Sequence, residues 1–439
     1  PWPRKPSHQN DGVMEGIGAD AGAAASLPAP QQARLRAAAV IAAPQRLQAA
    51  LQDWLGDAKP ELLSSDDPRA LVDSLQSRAA DQAVAVLASG DPLWFGLGRI
   101  LCDRIGAERL RFHPAPTSLQ LAFSRIGRPW QDADWVSLHG RDPEILASTL
   151  QKRPAALAVL TDPNQGGAGT VQQMLRSSGL EASTDLWLCE NLGHPDERVQ
   201  LIAPHAALPT DLQPLLIALL IAREPAAPDP HQLPLFGLDD GLYLQHSDHP
   251  GLMTKREVRI QLLAELALPP QGVLWDLGAG TGSVGLEALR LRPGLQLLAV
   301  ERRAGGAQLI QRNAQRLGVS PAAVLEADAT TVLNGGLPSQ LSQPDRVLLG
   351  GGGAQRERLL QEVLTRLRCG GVVVIPLASI EALASVRPLL ENAGLAVRVQ
   401  QLQAWRGQPL GDGTRLAPMN PTLIVTGTKP AQAGFTGKT

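Results

Sequence analysis

The sequence has no surplus of charge of either sign, because its 40 Lys and Arg residues nearly balance its 42 Asp and Glu residues. Balanced charge is not typical of proteins that bind polyelectrolytes, so nucleic acid is not a predicted partner. Long apolar runs are missing as well. The longest, 215–222, falls far short of the roughly 20 residues that cross a bilayer. We predict a buried strand there and no membrane partner.

Cysteine is scarce and histidine is unpatterned. Cys102, Cys189 and Cys369 are odd in number, far apart and without CxxC spacing. We interpret them as buried structural thiols rather than disulfides or zinc ligands. The histidines form no HxxxH or HExxH motif, and His246 and His249 lie in a loop bounded by Pro and Gly. No metal site is therefore predicted.

The length of 439 residues suits two domains, each large enough to bury its own core. Three prolines within 224–231 break any helix or central strand, which predicts a linker. The start of the chain is polar and Pro-rich, without a secretion signal, so a cytoplasmic protein is expected. The predicted order is a disordered leader (1–10), a first domain (11–223), a linker (224–232), a second domain (233–429) and a tail (430–439).

Short apolar runs alternate with amphipathic stretches in both halves, which predicts α/β domains. The predicted strands of the first half lie at 83–88, 135–138, 157–160 and 215–222. Those of the second half lie at 273–275, 297–300, 346–349 and 372–375, with helices at 308–317 and 355–367. Two last strands, 396–399 and 422–426, have only a long loop between them. We therefore expect a mostly parallel sheet that ends in an antiparallel pair.

The clearest motif is a glycine loop in the second half. A strand leads into Asp276, the run Gly278-Ala279-Gly280-Thr281-Gly282 follows, and a helical pattern begins near residue 284. Such a turn lets the backbone approach a ligand closely, because no Cβ atoms intervene. Glu301 ends the next strand, where nucleotide-binding α/β sheets place a carboxylate on the ribose hydroxyls. These features predict an adenosyl ligand.

A dinucleotide is one alternative, since Gly280, Gly282 and Gly285 also form a GxGxxG pattern, although that pattern alone is a weak signal. Three features favour a methyl donor: Asp276 stands just before the first glycine, Asp328-Ala329 follows a third strand, and the chain closes with an antiparallel pair. A dehydrogenase would more often place a catalytic domain after this one. An inert glycine turn is the remaining alternative.

Two further segments are candidates for the border of the ligand site. In 251–259 we interpret Thr254 as a helix N-cap, with Glu257 completing a capping box. This is either only a capped helix with a solvated basic face or one edge of the active site. After the strand 346–349, four glycines begin at Gly350 and place an unhindered backbone where open α/β sheets bind ligands.

Longer stretches resemble known families. The motifs TKREVR, WDLGAGTGSVGLEAL, GGGG and PLGDGTRLAPMNPTLIVTG are similar to the decarboxylating C15-methyltransferase domain of cobalamin biosynthesis, over 233–429. The stretches ASGDPLWFGLGR, APTSLQLAFSRIGRPWQDA, SLHGR and AVLTD resemble the C5-methyltransferase domain of the tetrapyrrole methylase family. The fused precorrin-6Y C5,15-methyltransferases carry both domains in this order, so the resemblance covers nearly the whole chain.

The resemblance implies a tetrapyrrole methylase-like α/β domain followed by a class I Rossmann-like methyltransferase domain. It implies methylation of a corrinoid precursor, precorrin-6B, at carbons 5 and 15, with S-adenosylmethionine as the donor in both halves. It also implies loss of CO2 from the acetate on carbon 12. A homo-oligomer is expected. No catalytic acid or base is assigned, since an activated methyl donor mainly requires alignment.

The resemblance also assigns roles to particular residues. For the donor of the C-terminal site they are Gly278 to Gly282 together with Asp276, Glu301 at the ribose, Asp328 and Ala329 at the adenine side, and Thr254 at the mouth of the pocket. The N-terminal site would be lined by Ser89, Gly90, Asp91 and Pro92. Candidate partners for the substrate and its carboxylate arms are Arg256, Arg259, His139 and Arg141, with Gly350 and Gly351.

One loop departs from the family pattern. The N-terminal domain should open with a strand and a GxGPGD-like loop, but residues 16–22 lack the proline and the Gly-Asp pair and follow a poor strand at 13–15. Either this site works in an altered form, or the N-terminal half is a corrinoid-binding scaffold beside a single catalytic domain. A small-molecule methyltransferase unrelated to corrinoids is a third hypothesis.

Overall fold

The computed structural model describes residues 12–20, 22–78, 82–94, 97–140, 142–335, 337–351, 353–410 and 413–431. They form two five-stranded sheets in the first half of the chain and a seven-stranded sheet in the second. Helices alternate with strands in both halves, so the predicted α/β class is confirmed. The predicted leader lies outside the described residues.

The first sheet and its helices consist of β1 Met14–Ala19, α1 Ala29–Ala37, β2 Val40–Ala43, α2 Gln45–Leu55, β3 Glu61–Ser64, α3 Pro68–Gln76, β4 Val84–Ser89, α4 Leu97–Ile105 and β5 Leu110–His113. The strand order is β3-β2-β4-β1-β5, and every pairing is parallel. Each parallel pairing needs a crossover connection, which the helices provide.

The second sheet and its helices consist of α5 Ser118–Ile126, β6 Ala133–Ser137, α6 Glu144–Gln151, β7 Ala156–Leu160, α7 Gly167–Ser177, β8 Thr184–Glu190, β9 Arg198–Ile202 and β10 Leu216–Ala222. The order is β6-β7-β10-β8-β9, with β6 and β7 parallel and the other pairs antiparallel. The apolar run 215–222 supplies the central strand β10, as predicted.

The third sheet and its helices consist of α8 Arg256–Glu265, β11 Gln271–Leu277, α9 Ser283–Leu291, β12 Gly294–Glu301, α10 Gly306–Leu317, β13 Ala323–Glu326, α11 Ala329–Gly335, β14 Arg346–Leu349, α12 Arg356–Arg366, β15 Val372–Leu377, α13 Ile380–Asn392, β16 Ala396–Leu402 and β19 Thr422–Thr428. The order is β13-β12-β11-β14-β15-β19-β16. β19 is antiparallel to both of its neighbours, which confirms the predicted closing strand.

Both faces of this sheet are covered, which explains the nearly continuous apolar character of its central strands. Leu274 and Leu297 face a core that contains residues of α8, α9 and α10. Trp275 and Leu298 face the opposite core, which contains residues of α12 and α13. The indole N–H of the fully buried Trp275 donates to the carbonyl of Leu341 at 2.8 Å. Because both faces are covered, ligands have access at the ends of the strands.

The prediction of a loop between the last two strands of the sheet is wrong. This segment forms a hairpin of two strands, β17 Trp405–Leu410 and β18 Gly413–Pro418. The hairpin packs on the first half of the chain, where Arg415 pairs with Asp142 and Arg406 donates to the carbonyl of Ser178 at 3.4 Å. A segment of the second half of the chain is thereby fixed against the first half.

Three local predictions are corrected. Helix α8 begins at Arg256 after Lys255, without a side-chain cap, so Thr254 is not its N-cap. Residues 16–19, predicted as loop, belong to β1. Of the cysteines, Cys189 is buried as predicted, Cys102 is partly buried and Cys369 is exposed. Separately, none of the helices in the described ranges is long and apolar enough to cross a membrane.

Candidate active sites

A cavity of about 400 Å³ opens at the carboxyl ends of β11, β12 and β14. We call it the donor cavity. Its volume lies in the range of small-molecule sites, and its position is where open α/β sheets bind ligands. The residues that line it are Leu252, Gly278, Gly280, Val300, Glu301, Arg302, Arg303, Ala327, Asp328, Ala329, Thr330, Gly350, Gly351, Gly353, Ala354, Gln355, Arg356 and Leu359.

The glycines at the end of β11 are required by a close approach of two backbones. Gly278 has a φ of +82°, and a Cβ atom there would lie 2.7 Å from the Cα of Gly351. The N–H groups of Gly350 and Gly351 both donate to the carbonyl of Leu277, at 3.0 and 3.1 Å. The two glycine runs found in the sequence therefore pack directly against each other and form the floor of the cavity.

Asp276 lies beneath this floor and does not line the cavity. Its side chain is buried, and Oδ2 accepts a hydrogen bond from Gly285 N at 3.2 Å. Burial raises the pKa of Asp276 to about 7, against the opposing effect of that hydrogen bond and with a smaller contribution from the charge of Glu301. A Cβ at Gly285 would lie 2.9 Å from Oδ2. Asp276 thus ties the start of α9 to the end of β11.

Glu301 is held by the backbone on both of its oxygens. Oε2 accepts from Gly280 N at 2.7 Å, and Oε1 accepts from Arg303 N at 2.9 Å. Each carboxylate oxygen has two lone pairs, so both can still accept from ligand hydroxyls. A fixed carboxylate beside a glycine floor fits the ribose of an adenosyl ligand.

The other predicted donor residues divide into two groups. Gly278, Gly280, Asp328, Ala329, Gly350 and Gly351 line the donor cavity, whereas Ala279, Thr281, Gly282 and Thr254 are not among its lining residues. Asp328 caps α11, because its Oδ1 accepts from Thr330 N at 2.9 Å. Thr281 is buried, with an Oγ1 that has no hydrogen-bond partner.

The prediction that Arg259 contacts substrate is corrected by its position. Its side chain is fully buried, with Nε donating to Glu287 at 2.7 Å and Nη1 to Asp240 at 3.1 Å. A guanidinium that is enclosed by carboxylates in the core is already paired and is not available to a ligand. Arg256 is largely exposed, donates to the carbonyl of Gly237 at 2.6 Å, and also lies outside the cavity lining.

Three arginines that line the donor cavity were not predicted from the sequence. Arg302 and Arg303 directly follow Glu301, and Arg356 opens α12 after the glycine run. Arg303 Nη1 is 3.0 Å from Asp248, whereas Arg302 is exposed. Their positions next to the two recognised motifs were the available signal. They add positive charge to a lining that also contains the carboxylates of Glu301 and Asp328.

A second cleft of about 460 Å³ lies in the first half of the chain. We call it the N-terminal cleft. It is lined by residues of both N-terminal sheets, among them Asp20, Arg46, Ser89, Gly90 and His139. Ser89 Oγ accepts from Arg46 Nη2 at 2.7 Å. The cleft therefore combines an acid, a cation and polar groups at the ends of strands β1 and β4.

The ends of β1 and β4 meet closely in this cleft. Gly90 N donates to the carbonyl of Ala19 at 2.6 Å, and a Cβ at Gly18 would lie 2.5 Å from the carbonyl oxygen of Gly90. Asp20 accepts from Gly22 N at 2.9 Å and from the Ser26 hydroxyl at 2.5 Å. The described residues on the two sides of position 21 are thus hydrogen-bonded to each other beside the cleft.

The remaining N-terminal predictions are distributed around this cleft. Asp91 and Pro92 are not among its lining residues, and Asp91 Oδ1 accepts from Leu93 N at 2.8 Å. His139 lines the cleft with a largely exposed ring, 4.0 Å from Asp162. Arg141 lies outside the described residues. Within the described ranges, no cluster of three or more His, Cys, Asp or Glu side chains is placed to hold a metal ion.

Both halves of the chain match known families. Residues 15–204 match the family described as tetrapyrrole (corrin/porphyrin) methylases, and residues 245–429 match the family described as precorrin methyltransferase domain. The first match contains Ser89 and Gly90 of the N-terminal cleft. The second contains the whole lining of the donor cavity.

Curated relatives match the chain over one half or over both. A decarboxylating precorrin-6Y C(5,15)-methyltransferase of Sinorhizobium sp is 34% identical over 79% of this chain and 80% of its own length. One of Mycobacterium tuberculosis is 28% identical over 95% of this chain and 99% of its own. A probable cobalt-precorrin-6B C(15)-methyltransferase of Pyrobaculum aerophilum is 33% identical over 43% of this chain and 94% of its own.

Proposed function

Because the chain belongs to the family of decarboxylating precorrin-6Y C(5,15)-methyltransferases, we propose that it methylates a corrinoid precursor of cobalamin biosynthesis at carbons 5 and 15. The substrate of this proposal is precorrin-6B, the methyl donor is S-adenosylmethionine, and the acetate on carbon 12 leaves its carboxyl group as CO2. The observation that carries the proposal is the presence of two separate clefts. The donor cavity lies within the match to precorrin methyltransferase domains, and the N-terminal cleft is lined mainly by residues of the match to tetrapyrrole methylases.

The donor cavity supports the choice of donor. Bound S-adenosylmethionine supplies a methyl group that is already activated by its sulfonium. In our proposal the backbone from Gly278 to Gly282 holds the methionine part, Glu301 accepts from the ribose hydroxyls, and Asp328 with Ala329 borders the adenine. The fixed orientation of Glu301 by Gly280 N and Arg303 N supports this arrangement, since little reorganisation is then needed on binding.

Methyl transfer at this site then depends on alignment. The described lining of the donor cavity holds arginines and carboxylates but no His or Cys. An activated donor needs neither, because correct orientation alone can lower the reaction barrier by on the order of 7–11 kcal/mol. When bound, the donor would supply its methyl group to a ring carbon that the site holds in line with it. Glu301 and the glycine floor contribute by fixing the donor.

Arginines are suited to the carboxylate arms of a corrinoid, because a guanidinium binds a carboxylate through two N–H groups. Arg302, Arg303 and Arg356 line the donor cavity and replace Arg259 in this role. His139 keeps the corresponding role in the N-terminal cleft. For decarboxylation, the C–C bond to the carboxylate breaks and its electron pair enters the conjugated ring, so no separate acid is assigned.

The N-terminal cleft is proposed as the site of methylation at carbon 5, with Ser89 and Gly90 at the donor. The alternative is a corrinoid-binding scaffold, which is favoured by one observation. The acid of the altered loop, Asp20, is bonded to its own turn through Gly22 and Ser26. Two observations instead support a ligand-binding site. Gly18 packs closely on Gly90, and Arg46 donates a hydrogen bond to Ser89.

The proposal is tested by incubating the purified full chain with precorrin-6B and S-adenosylmethionine and weighing the products by mass spectrometry. Two added methyl groups with loss of one CO2 are expected. One added methyl group with loss of CO2 would support the scaffold alternative. If the substrate is neither converted nor retained, a methyltransferase for a different small molecule becomes the better hypothesis.

We also propose a homo-oligomer. The two strands of the hairpin β17–β18 pair Trp405 with Pro418 and Gly407 with Leu416, which places the exposed side chains of Trp405 and Leu416 on one face. Exposed apolar patches of this kind are typical of protein contacts. Light scattering of the purified chain measures the mass directly, and a monomer at micromolar concentration would contradict this proposal.

A further inference from the structure

A third cavity, of about 350 Å³, lies between the two halves of the chain. We call it the interdomain cavity. The first half contributes residues within 150–184 and 220–225, and the second half contributes residues within 243–250 together with Arg312. No described residue lines both this cavity and the donor cavity or the N-terminal cleft. It is therefore separate from both proposed methyl-transfer sites.

One guanidinium in this cavity has no carboxylate partner. Arg153 Nη1 donates to the main-chain carbonyl of Asp240 at 3.1 Å, and Nη2 donates to the Ser183 hydroxyl at 2.9 Å. Both acceptors are neutral, and Nη1 otherwise contacts only the sulfur of Met253 at 3.9 Å. Burial lowers the pKa of Arg153 to about 10, and the nearby charge of Asp240 offsets this only in part.

The other arginines around the cavity are paired. Arg223 lies 2.8 Å from Asp185, and Arg312 lies 2.7 Å from Glu224. For Arg153, no carboxylate oxygen of the described residues lies within ion-pair distance. A buried cation is costly unless it is paired, and a guanidinium has five N–H donors, several of which remain available here. Arg153 is therefore a cation in need of an anion.

A second group in the cavity is also unsatisfied. His246 is 5% exposed, and its Nε2 is buried without a hydrogen-bond partner. Buried polar atoms are nearly always hydrogen-bonded, and each exception needs a physical reason. Much of the remaining wall is apolar and includes Leu157, Leu180 and Leu220. The cavity wall thus combines a guanidinium without a carboxylate partner and an imidazole with an unsatisfied nitrogen, within apolar surroundings.

We propose that the interdomain cavity binds a small anion with an apolar body, whose carboxylate or phosphate pairs with Arg153 and is hydrogen-bonded to His246. The volume lies at the lower end of the range for small-molecule sites, and it is too small to enclose a corrinoid macrocycle. The apolar body of the ligand packs on the leucines, and the anion neutralises the buried guanidinium. The site is distinct from both proposed methylation sites.

The test is calorimetric titration of the full chain with three probes: benzoate, its neutral analogue benzamide, and phenyl phosphate. Benzoate is expected to bind at least about tenfold more tightly than benzamide, because hydrogen bonds between charged groups are stronger than those between neutral groups. The ratio of benzoate to phenyl phosphate affinity distinguishes a carboxylate ligand from a phosphate ligand. Equal affinities for benzoate and benzamide, or no binding of any probe up to about 10 mM, would overturn the proposal.

Two variants and one control place the anion. Arg153→Met is expected to remove the preference for benzoate over benzamide, and His246→Phe to weaken benzoate binding by about fivefold. Arg415→Gln breaks an ion pair between the same two halves away from the cavity, and it should leave the probe affinities unchanged. Titration with S-adenosylhomocysteine checks that each variant is folded. A folded Arg153→Met protein that still prefers benzoate over benzamide to the full extent contradicts the proposal. If that variant does not fold, an unchanged affinity of the His246→Phe protein for benzoate contradicts it instead.

Discussion

The donor cavity and the N-terminal cleft hold their polar groups in different ways. In the donor cavity, main-chain N–H groups of Gly280 and Arg303 fix the carboxylate of Glu301. In the N-terminal cleft, the hydroxyl of Ser89 depends on the long side chain of Arg46. A site fixed by the backbone is rigid as long as the sheet is intact, whereas a site fixed by a flexible side chain depends on that residue. The two sites should therefore respond differently to substitution.

The largest expected effect is a dependence of the free energy of unfolding on pH. It arises at Asp276, which is buried below the donor cavity, whereas Asp20 in the N-terminal cleft is half-buried. The pKa of Asp276 is raised from 3.8 to about 7 in the folded state. Between these values the folded state keeps a proton that the unfolded state has lost, so the free energy of unfolding falls as pH rises from about 4 to about 7. The full effect is about 4 kcal/mol, at about 1.4 kcal/mol per pKa unit.

The measurement is urea denaturation followed by circular dichroism at a series of pH values, with Asp276→Asn as the reference. This variant cannot titrate at the position, so its free energy of unfolding should fall less over the same pH range. Parallel pH dependences for the two proteins would show that the buried carboxyl does not carry a raised pKa.

The next largest effect tests the close packing of glycines. Gly278→Ala places a Cβ 2.7 Å from the backbone of Gly351, so the floor of the donor cavity must shift. Methylation at carbon 15 should fall by about 100-fold, as is typical of displacements near 1 Å, while methylation at carbon 5 is retained. Mass spectrometry of the products measures both.

A matched control is available for this substitution. Gly305 has a similar φ of +76°, but nothing lies within 4 Å of a Cβ added there. Gly305→Ala therefore introduces the backbone strain without the clash and should reduce methylation at carbon 15 by only a few fold. Equal losses in both variants would assign the effect to strain and not to the contact with Gly351.

A smaller effect is expected from Glu301→Gln, which removes a charge that we assign to the ribose. Affinity for S-adenosylhomocysteine, measured by calorimetry, should fall by about tenfold, the size of one hydrogen bond to a charged group. Glu326→Gln is the control, since Glu326 ends the adjacent strand β13 and is exposed. Similar losses from both substitutions would argue against a specific role for Glu301.

The smallest effect is expected in the N-terminal cleft. Ser89→Ala removes the acceptor of Arg46 and should lower methylation at carbon 5 by about fivefold, without changing methylation at carbon 15. Ser118→Ala alters another hydroxyl of the same cleft and serves as the control. If Ser89→Ala changes both methylations equally, the two sites are not independent, and the comparison between them fails.

Sequence patterns predicted the central strands of the third sheet well because these strands alternate regularly with helices. The strands β11, β12, β14 and β15 are buried on both faces, so their apolar runs are distinct. The glycine floor and Glu301 follow from the same regularity, since both lie at strand ends. Features set by local periodicity were therefore accessible from the sequence.

Features set by contacts between distant segments were not accessible. Strand β1 contains Gly16 and Gly18, which disfavour a strand, but a Cβ at Gly16 would lie 2.6 Å from the ring of Phe112. Gly16 is thus required by packing against β5, and Gly18 by packing against the segment that follows β4. Arg259 was predicted to contact the substrate, and only the fold brings Glu287 and Asp240 around it.

The hairpin β17–β18 carries a consequence for proteolysis. It belongs to the second half of the chain but is bonded to the first through Arg415 and Asp142, and through Arg406 and Ser178. Lys255 adds a contact to the carbonyl of Gln151 at 3.4 Å. A proteolytic cut within 224–232 should therefore leave two fragments that co-elute as a nicked complex. The Pro-rich segment is then not the only connection between the two halves of the chain.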